Sequence, residues 1–154
     1  MTGFAGENNE PRLLVIEDNS ADVLLLRRVL RRARRPIGVQ VATTAEAGLD
    51  ILRTGTEDAP LPDLILTDLN LPKMHGVEFL ATVKSDGNLQ HIPVLVLSSS
   101  AAKCDIERCY DNSADGYFTK PLDSSGYDSI LVCIETWLET VCPSMEPAPM
   151  RLAS

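Results

Sequence analysis

Three short apolar runs constrain this chain more than any other feature: RLLVI at Arg12–Ile16, LIL at Leu64–Leu66 and VLVL at Val94–Leu97. None alternates apolar with polar residues, so none suits a strand with one wet face. Each is also too short for a buried helix, and they read as strands covered on both faces. The stretches between them carry apolar residues at helical spacing. Asn19 and Ser20 can cap a helix whose apolar positions Val23, Leu26, Leu30 and Ala33 share a face and which ends before Pro36. Val39 and Val41 alternate with polar neighbours in a second strand, Ala45–Arg53 is a helix, and Gly55–Pro62, with its prolines, is a loop. The alternation continues with strand Leu64–Thr67, helix Gly76–Lys84, strand Val94–Leu97, helix Asp105–Asp111, strand Gly116–Thr119 and a last helix over Tyr127–Thr140.

Five strands alternating with five helices imply a parallel sheet, because right-handed crossovers must return over its two faces. The expected fold is therefore a doubly wound α/β sandwich over residues 12–142, one domain of ordinary size in a chain of 154 residues. Residues 1–11 and 143–154 are polar or proline-bearing and are expected to be flexible tails.

Composition removes several classes of function. No apolar run approaches the length needed to cross a bilayer, and MTGFAGENNEP lacks the basic and apolar regions of a secretory signal, so a cytoplasmic location is expected, without membrane association. A net charge of -8 argues against nucleic-acid binding, which depends on cations meeting phosphates. Cys104, Cys109, Cys133 and Cys142 lack the paired spacing of zinc sites and are expected to be reduced thiols.

In an open parallel sheet the functional crevice lies at the carboxyl ends of the strands. Glu17 and Asp18 end the first strand, Asp68 the third, Ser98 the fourth and Lys120 the fifth. Carboxylates gathered there repel one another unless a cation shares the site. An all-oxygen donor set favours magnesium, with Asp18, Asp68 and a backbone carbonyl as ligands and Glu17 acting through water. Given such an ion, Asp68 is a competent nucleophile toward a phosphoryl group, with Lys120 balancing charge and Ser98 hydrogen-bonding a phosphoryl oxygen. A phosphohydrolase with an aspartyl nucleophile would want a second Asp two residues later, and Asn70 stands there. A scaffold that works without phosphorylation would not need this whole set.

The acidic pair in VIEDNSAD, the segment LILTDLNLPKMHG, the strand VLVLSSS and the segment GYFTKP together resemble the receiver domains of two-component response regulators, over Arg12 to Leu138. The resemblance implies a flavodoxin-like sheet in strand order 2-1-3-4-5. It further implies that Asp68 is the phospho-acceptor, that Glu17 and Asp18 form the metal-binding pair, and that the Asn70 carbonyl is the third metal ligand. Ser98 is then the switch hydroxyl, Lys120 the phosphate-pairing lysine and Tyr117 the switch aromatic, and the Lys120–Pro121 bond is expected to be cis. The protein would be a phospho-acceptor rather than an enzyme acting on external substrates, with slow autodephosphorylation. The DLNLP wording, the Ser98–Ser100 run and Trp137 look like the small single-domain regulators associated with bacterial phytochromes.

The family implies a sensor histidine kinase as partner, and output through another protein such as a phosphotransfer protein. Arg27, Arg28, Arg31, Arg32, Arg34 and Arg35 crowd the first helix and its exit, as a solvated face or as a kinase-docking surface. Tyr127, Ile130, Ile134, Trp137 and Val141, widened by Leu131, Val132 and Leu138, give the last helix more apolar surface than one packed face needs. The excess points to a homodimer through that helix.

Overall fold

The computed structural model of the chain describes residues 10–55 and 60–143. Strands β1 (Arg12–Ile16), β2 (Gly38–Ala42), β3 (Leu64–Thr67), β4 (Val94–Ser98) and β5 (Gly116–Thr119) alternate with helices α1 (Ser20–Leu30), α2 (Ala45–Arg53), α3 (Gly76–Ser85), α4 (Lys103–Asp111) and α5 (Tyr127–Val141). All pairings are parallel, in the order β2-β1-β3-β4-β5. The doubly wound, flavodoxin-like architecture expected from the alternation is the one observed.

The unbroken apolar strands divide their side chains between two cores. Leu13 and Val15 of β1, Leu64 and Leu66 of β3, and Leu95 and Leu97 of β4 face one side, where Leu26 and Val29 of α1 and Ile130 and Ile134 of α5 cover them. Leu14, Ile16, Ile65, Val94 and Val96 face the other, under Leu49 of α2, Phe79 and Leu80 of α3, and Cys109 of α4. Successive strand residues point to opposite faces, so a strand covered on both must be apolar throughout.

Several boundaries differ from expectation. Backbone pairing begins before Arg12: Pro11 is buried and its carbonyl accepts the Gly38 N–H at 2.8 Å, anchoring the β1 entry to β2. Residues 1–9, 56–59 and 144–154, which include most of the expected tails and part of the Gly55–Pro62 loop, lie outside the described residues. Helix α1 stops at Leu30, well before Pro36, and leaves through tight turns in which Arg32 and Ala33 N–H donate to the Val29 and Leu30 carbonyls. A continued helix would stack the arginines against one another. Unwound, Arg32 reaches Asp128 at 2.7 Å, Arg35 reaches Glu139 at 3.2 Å, and the Arg34 backbone N–H donates to Glu135 at 2.8 Å, tying the exit of α1 to α5. Each pair is partly exposed and contributes about 0.2–1 kcal/mol, so the strap fixes geometry more than it adds stability. Half of the arginine cluster is thus an internal strap, a role the sequence did not suggest.

Helix α5 buries Tyr127, Ile130, Leu131, Ile134 and Leu138, and Trp137 packs against the same core, while Val132 and Val141 are exposed. Among the described residues no helix is long and apolar enough to cross a membrane, and Cys104, Cys109 and Cys133 are free thiols.

Candidate functional site

The strand ladder brings the polar residues together. Ile16 and Thr67 are register partners, so the residues after them, Glu17 and Asp68, leave β1 and β3 side by side. The Asp68 N–H donates to the Ile16 carbonyl at 3.0 Å and the Glu17 N–H to the Ala42 carbonyl at 2.9 Å, which extends the ladder through both acids. Ser98 pairs with Thr119, and the Lys120 N–H donates to the Ser98 carbonyl at 2.7 Å. Backbone pairing therefore delivers Lys120 to the crevice before any side-chain attraction acts.

Lys120 is the hub. Its Nζ lies 2.9 Å from Glu17 Oε1, 2.8 Å from Asp22 Oδ2 and 3.0 Å from Asp68 Oδ2. Asp68 Oδ1 accepts the N–H groups of Leu69 at 2.6 Å and Asn70 at 3.3 Å. Glu17 Oε2 accepts the Asn19 N–H at 3.1 Å. Glu17 and Asp68 are buried, whereas Asp18 is exposed at the rim. One ligand oxygen from each of Glu17, Asp18 and Asp68 falls within 4.8 Å of the others. Burial raises the Glu17 carboxyl above its ordinary range, the Lys120 hydrogen bond opposes this, and the Asp68 charge adds to it. Burial alone would lower the Lys120 ammonium, but its bonds to Asp22, Glu17 and Asp68 outweigh that and raise it, so Lys120 stays charged.

The donor chemistry fits a hard divalent ion. It is all oxygen, anionic charge exceeds the single lysine, and the acidic pocket is compatible with magnesium. The carbonyls of Leu69 and Asn70, just after Asp68, differ in their partners. The neighbouring Leu69 carbonyl is taken by the N–H groups of Leu71 and Gly76, whereas among the described residues no hydrogen bond engages that of Asn70.

Gly76 holds this loop against the site. A Cβ there would lie 2.2 Å from the Asp68 carbonyl oxygen and 2.6 Å from the Leu69 Cα, so only glycine lets the start of α3 approach so closely. The His75 side chain caps α3 by accepting the Val77 N–H at 3.2 Å, and Glu78 returns the bond to the His75 N–H at 3.1 Å.

Among the described residues, two expected residues make no hydrogen bond to these carboxylates. Ser98 is fully buried at the end of β4, where its Oγ accepts the Ser100 N–H at 3.1 Å. Tyr117, half-buried, donates its hydroxyl to the Ser100 carbonyl at 2.6 Å and so is held on the β4–α4 loop. Ser100 itself donates to Asp105 at 2.6 Å and accepts the Ala102 N–H at 3.2 Å. These bonds order the entry to α4, which begins at Lys103, a little earlier than expected. The Lys120–Pro121 bond is trans, not cis as the resemblance implied. Trans remains the favoured X-Pro isomer by about 0.5–1 kcal/mol, and Lys120 makes all its contacts with the bond in that form.

Sequence reading missed Asp22. The signal was present: Asn19 Oδ1 accepts the Asp22 N–H at 2.9 Å as the α1 cap, which sets Asp22 in the first turn, above the ends of the strands. An acid four residues after Asp18, beyond a capping Asn, lies on the helix face nearest the crevice.

Residues 13–130 match the response regulator receiver domain, and the chain belongs to that family. Phosphorylation on aspartate is general to the family, and membership implies a histidine kinase partner. Within it, the chain is 36% identical over 152 residues to the response regulator Rcp1 of Synechocystis sp., covering 90% of this chain and 97% of that protein. The solved structure of the phosphorylated cyanobacterial phytochrome response regulator RcpA superposes with a TM-score of 0.78 at 40% identity, covering 85% of this chain and 96% of that one. The Mn(2+)-bound form of Rcp1 gives a TM-score of 0.71 at 29% identity, covering 90% of this chain and 99% of that one. The chain is thus related to single-domain phytochrome response regulators.

Proposed function

We propose that the protein is a single-domain response regulator that accepts a phosphoryl group on Asp68 from a phytochrome-type sensor histidine kinase in the cytoplasm. The observation that carries this reading is the Lys120 ammonium 3.0 Å from Asp68 Oδ2, with Glu17 and Asp18 beside it. In the transfer, an Asp68 carboxylate oxygen forms the new P–O bond as the P–N bond to the donor histidine breaks. The bonding electrons remain on that nitrogen, and the donor leaves as neutral imidazole when its other nitrogen carries the proton. Lys120 offsets charge on the phosphoryl oxygens, and the buried Ser98 hydroxyl donates to one of them. Asp18, Asp68 and the Asn70 carbonyl, with Glu17 through water, would hold magnesium, which would supply charge neutralisation when bound.

Drawing Ser98 toward the phosphoryl group alters the loop on which Tyr117 rests. The Tyr117 hydroxyl exchanges its bond to the Ser100 carbonyl for an inward position, and the face formed by α4, β5 and α5 is remodelled as output. The protein acts on no external substrate, and its phosphorylated form decays by slow autodephosphorylation. Output passes to another protein, a phosphotransfer protein being one such partner. The exposed Val132 and Val141 support a homodimer through α5, and Arg27, Arg28 and Arg31, outside the α1–α5 strap, support a kinase-docking face.

The test is incubation with magnesium and acetyl phosphate, followed by intact-mass measurement of wild type and Asp68→Asn. The expected result is a gain of one phosphoryl mass in wild type that needs magnesium and is absent in Asp68→Asn. Equal labelling of the two chains, or none under conditions that label other receiver domains, would remove Asp68 as the acceptor.

A further inference from the structure

We propose that Asp22 is a positioning residue that competes with the phosphoryl group for Lys120, and so sets how tightly the occupied site is held. The inference deepens the reading of Asp68 as acceptor and rests on it. An ammonium has three N–H donors. In Lys120 the three carboxylates of Glu17, Asp22 and Asp68 lie at 2.9, 2.8 and 3.0 Å, so every donor is engaged before any phosphoryl oxygen arrives. A phosphoryl group on Asp68 adds anionic oxygens that Lys120 can meet only by releasing a partner.

Apart from Asp68, which carries the phosphoryl group, the two partners are not equally easy to release. The Glu17 side chain is 7% exposed, sits at the end of the β1 ladder and is also held by the Asn19 N–H. The Asp22 side chain is 33% exposed, so water can replace the ammonium at lower cost. Its position is nevertheless built. The Asn19 side chain caps the Asp22 N–H, which fixes the first turn of α1 and aims this carboxylate at Lys120 across the sheet ends. Asp22 therefore holds the lysine in place over Asp68 when the site is empty and opposes its transfer to the phosphoryl group when the site fills. Asp22→Asn keeps the shape and an acceptor oxygen but removes the charge that competes.

The experiment is calorimetric titration with beryllofluoride, a non-covalent phosphoryl mimic, at saturating magnesium. It compares wild type, Asp22→Asn, Asp22→Glu and Asp68→Asn. Asp22→Asn should bind about two- to fivefold more tightly than wild type, the range carried by a partly exposed ion pair. Asp22→Glu should return toward wild type, since it restores the charge. The fluorine-19 resonance of the bound mimic should shift in Asp22→Asn more than in Asp22→Glu, a signature that a merely structural role for Asp22 would not produce. Binding to wild type with equal or weaker affinity in Asp22→Asn would overturn the competition while leaving Asp68 as acceptor. Absence of binding to wild type, or undiminished binding to Asp68→Asn, would overturn the acceptor reading and this inference with it.

Discussion

Replacing Asp18 by Asn should make the metal-free protein more stable and take away most of what magnesium adds. The Asp18, Glu17 and Asp68 ligand oxygens lie within 4.8 Å of one another. At that separation two unit charges repel by about 1 kcal/mol in a water-like medium and about 3.5 kcal/mol at an effective dielectric constant near 20. Asp18 is exposed, so its repulsions fall near the lower figure. It faces two anions, and the Lys120 cation in the same cluster offsets roughly one of them. The net gain expected for Asp18→Asn in EDTA is therefore about 1 kcal/mol. Magnesium at ten times its dissociation constant would stabilise wild type by about 1.4 kcal/mol and the variant, short of a ligand, by much less. Urea unfolding followed by circular dichroism, in EDTA and in magnesium, reads both effects. A variant less stable than wild type in EDTA would mean that Asp18 supports the fold rather than strains it. Equal stabilisation of both chains by magnesium would remove Asp18 from the metal site.

Further outcomes follow from other parts of the structure. Gly76→Ala forces a Cβ to within 2.2 Å of the Asp68 carbonyl, so it should cost about 2–3 kcal/mol in urea unfolding and weaken magnesium binding; full stability would show that α3 can draw back freely. Burial and the Asp105 charge push the Cys109 thiol up to about 11, while Cys104 is exposed. Iodoacetamide at pH 8 should therefore modify Cys104 in the folded protein and Cys109 only after unfolding, as peptide mass mapping would reveal. Burial raises the Asp63 carboxyl above its ordinary 3.8, with the Arg12 N–H opposing. The folded state then binds that proton more tightly than the unfolded one, so the Asp63 contribution falls as pH rises from 3.8 through the raised folded value. Relative to wild type, Asp63→Asn should gain stability over that interval and keep the gain at pH 7, and a difference that stays flat with pH would contradict the assignment.

What was legible in the sequence was whatever repeats locally. Strands β1, β3 and β5 and helix α2 fall at the expected residues because apolar runs and capping residues act within a few positions. The strand-end set was legible for a related reason: once the strands are parallel, Glu17, Asp68, Ser98 and Lys120 must emerge at one edge. Lateral contacts were not legible. The arginines after α1 could be read as a solvated or docking face because Asp128, Glu135 and Glu139 lie far along the chain, and only the packing of α1 beside α5 makes them partners. Asp22 was passed over because it follows the acidic pair in a helix, where a lone acid reads as a favourable charge near the N-terminus.

The same contrast separates what holds the site from what lets it act. Glu17, Asp68 and Lys120 are delivered by main-chain hydrogen bonds to the Ala42, Ile16 and Ser98 carbonyls, a ladder backed by two apolar cores. That scaffold lets like charges stand close together, because moving them apart would break backbone pairing that is costly to lose in a dry interior. The charges are left with more repulsion than one lysine can cancel, and a divalent cation would relieve it. Tyr117 stands at the edge of this scaffold: half-buried, it pairs with Val96 in the ladder, packs against one core and donates its hydroxyl to the Ser100 carbonyl. A rigid acidic edge beside an aromatic held on the Ser100 carbonyl is the arrangement from which the proposed Tyr117 response would start.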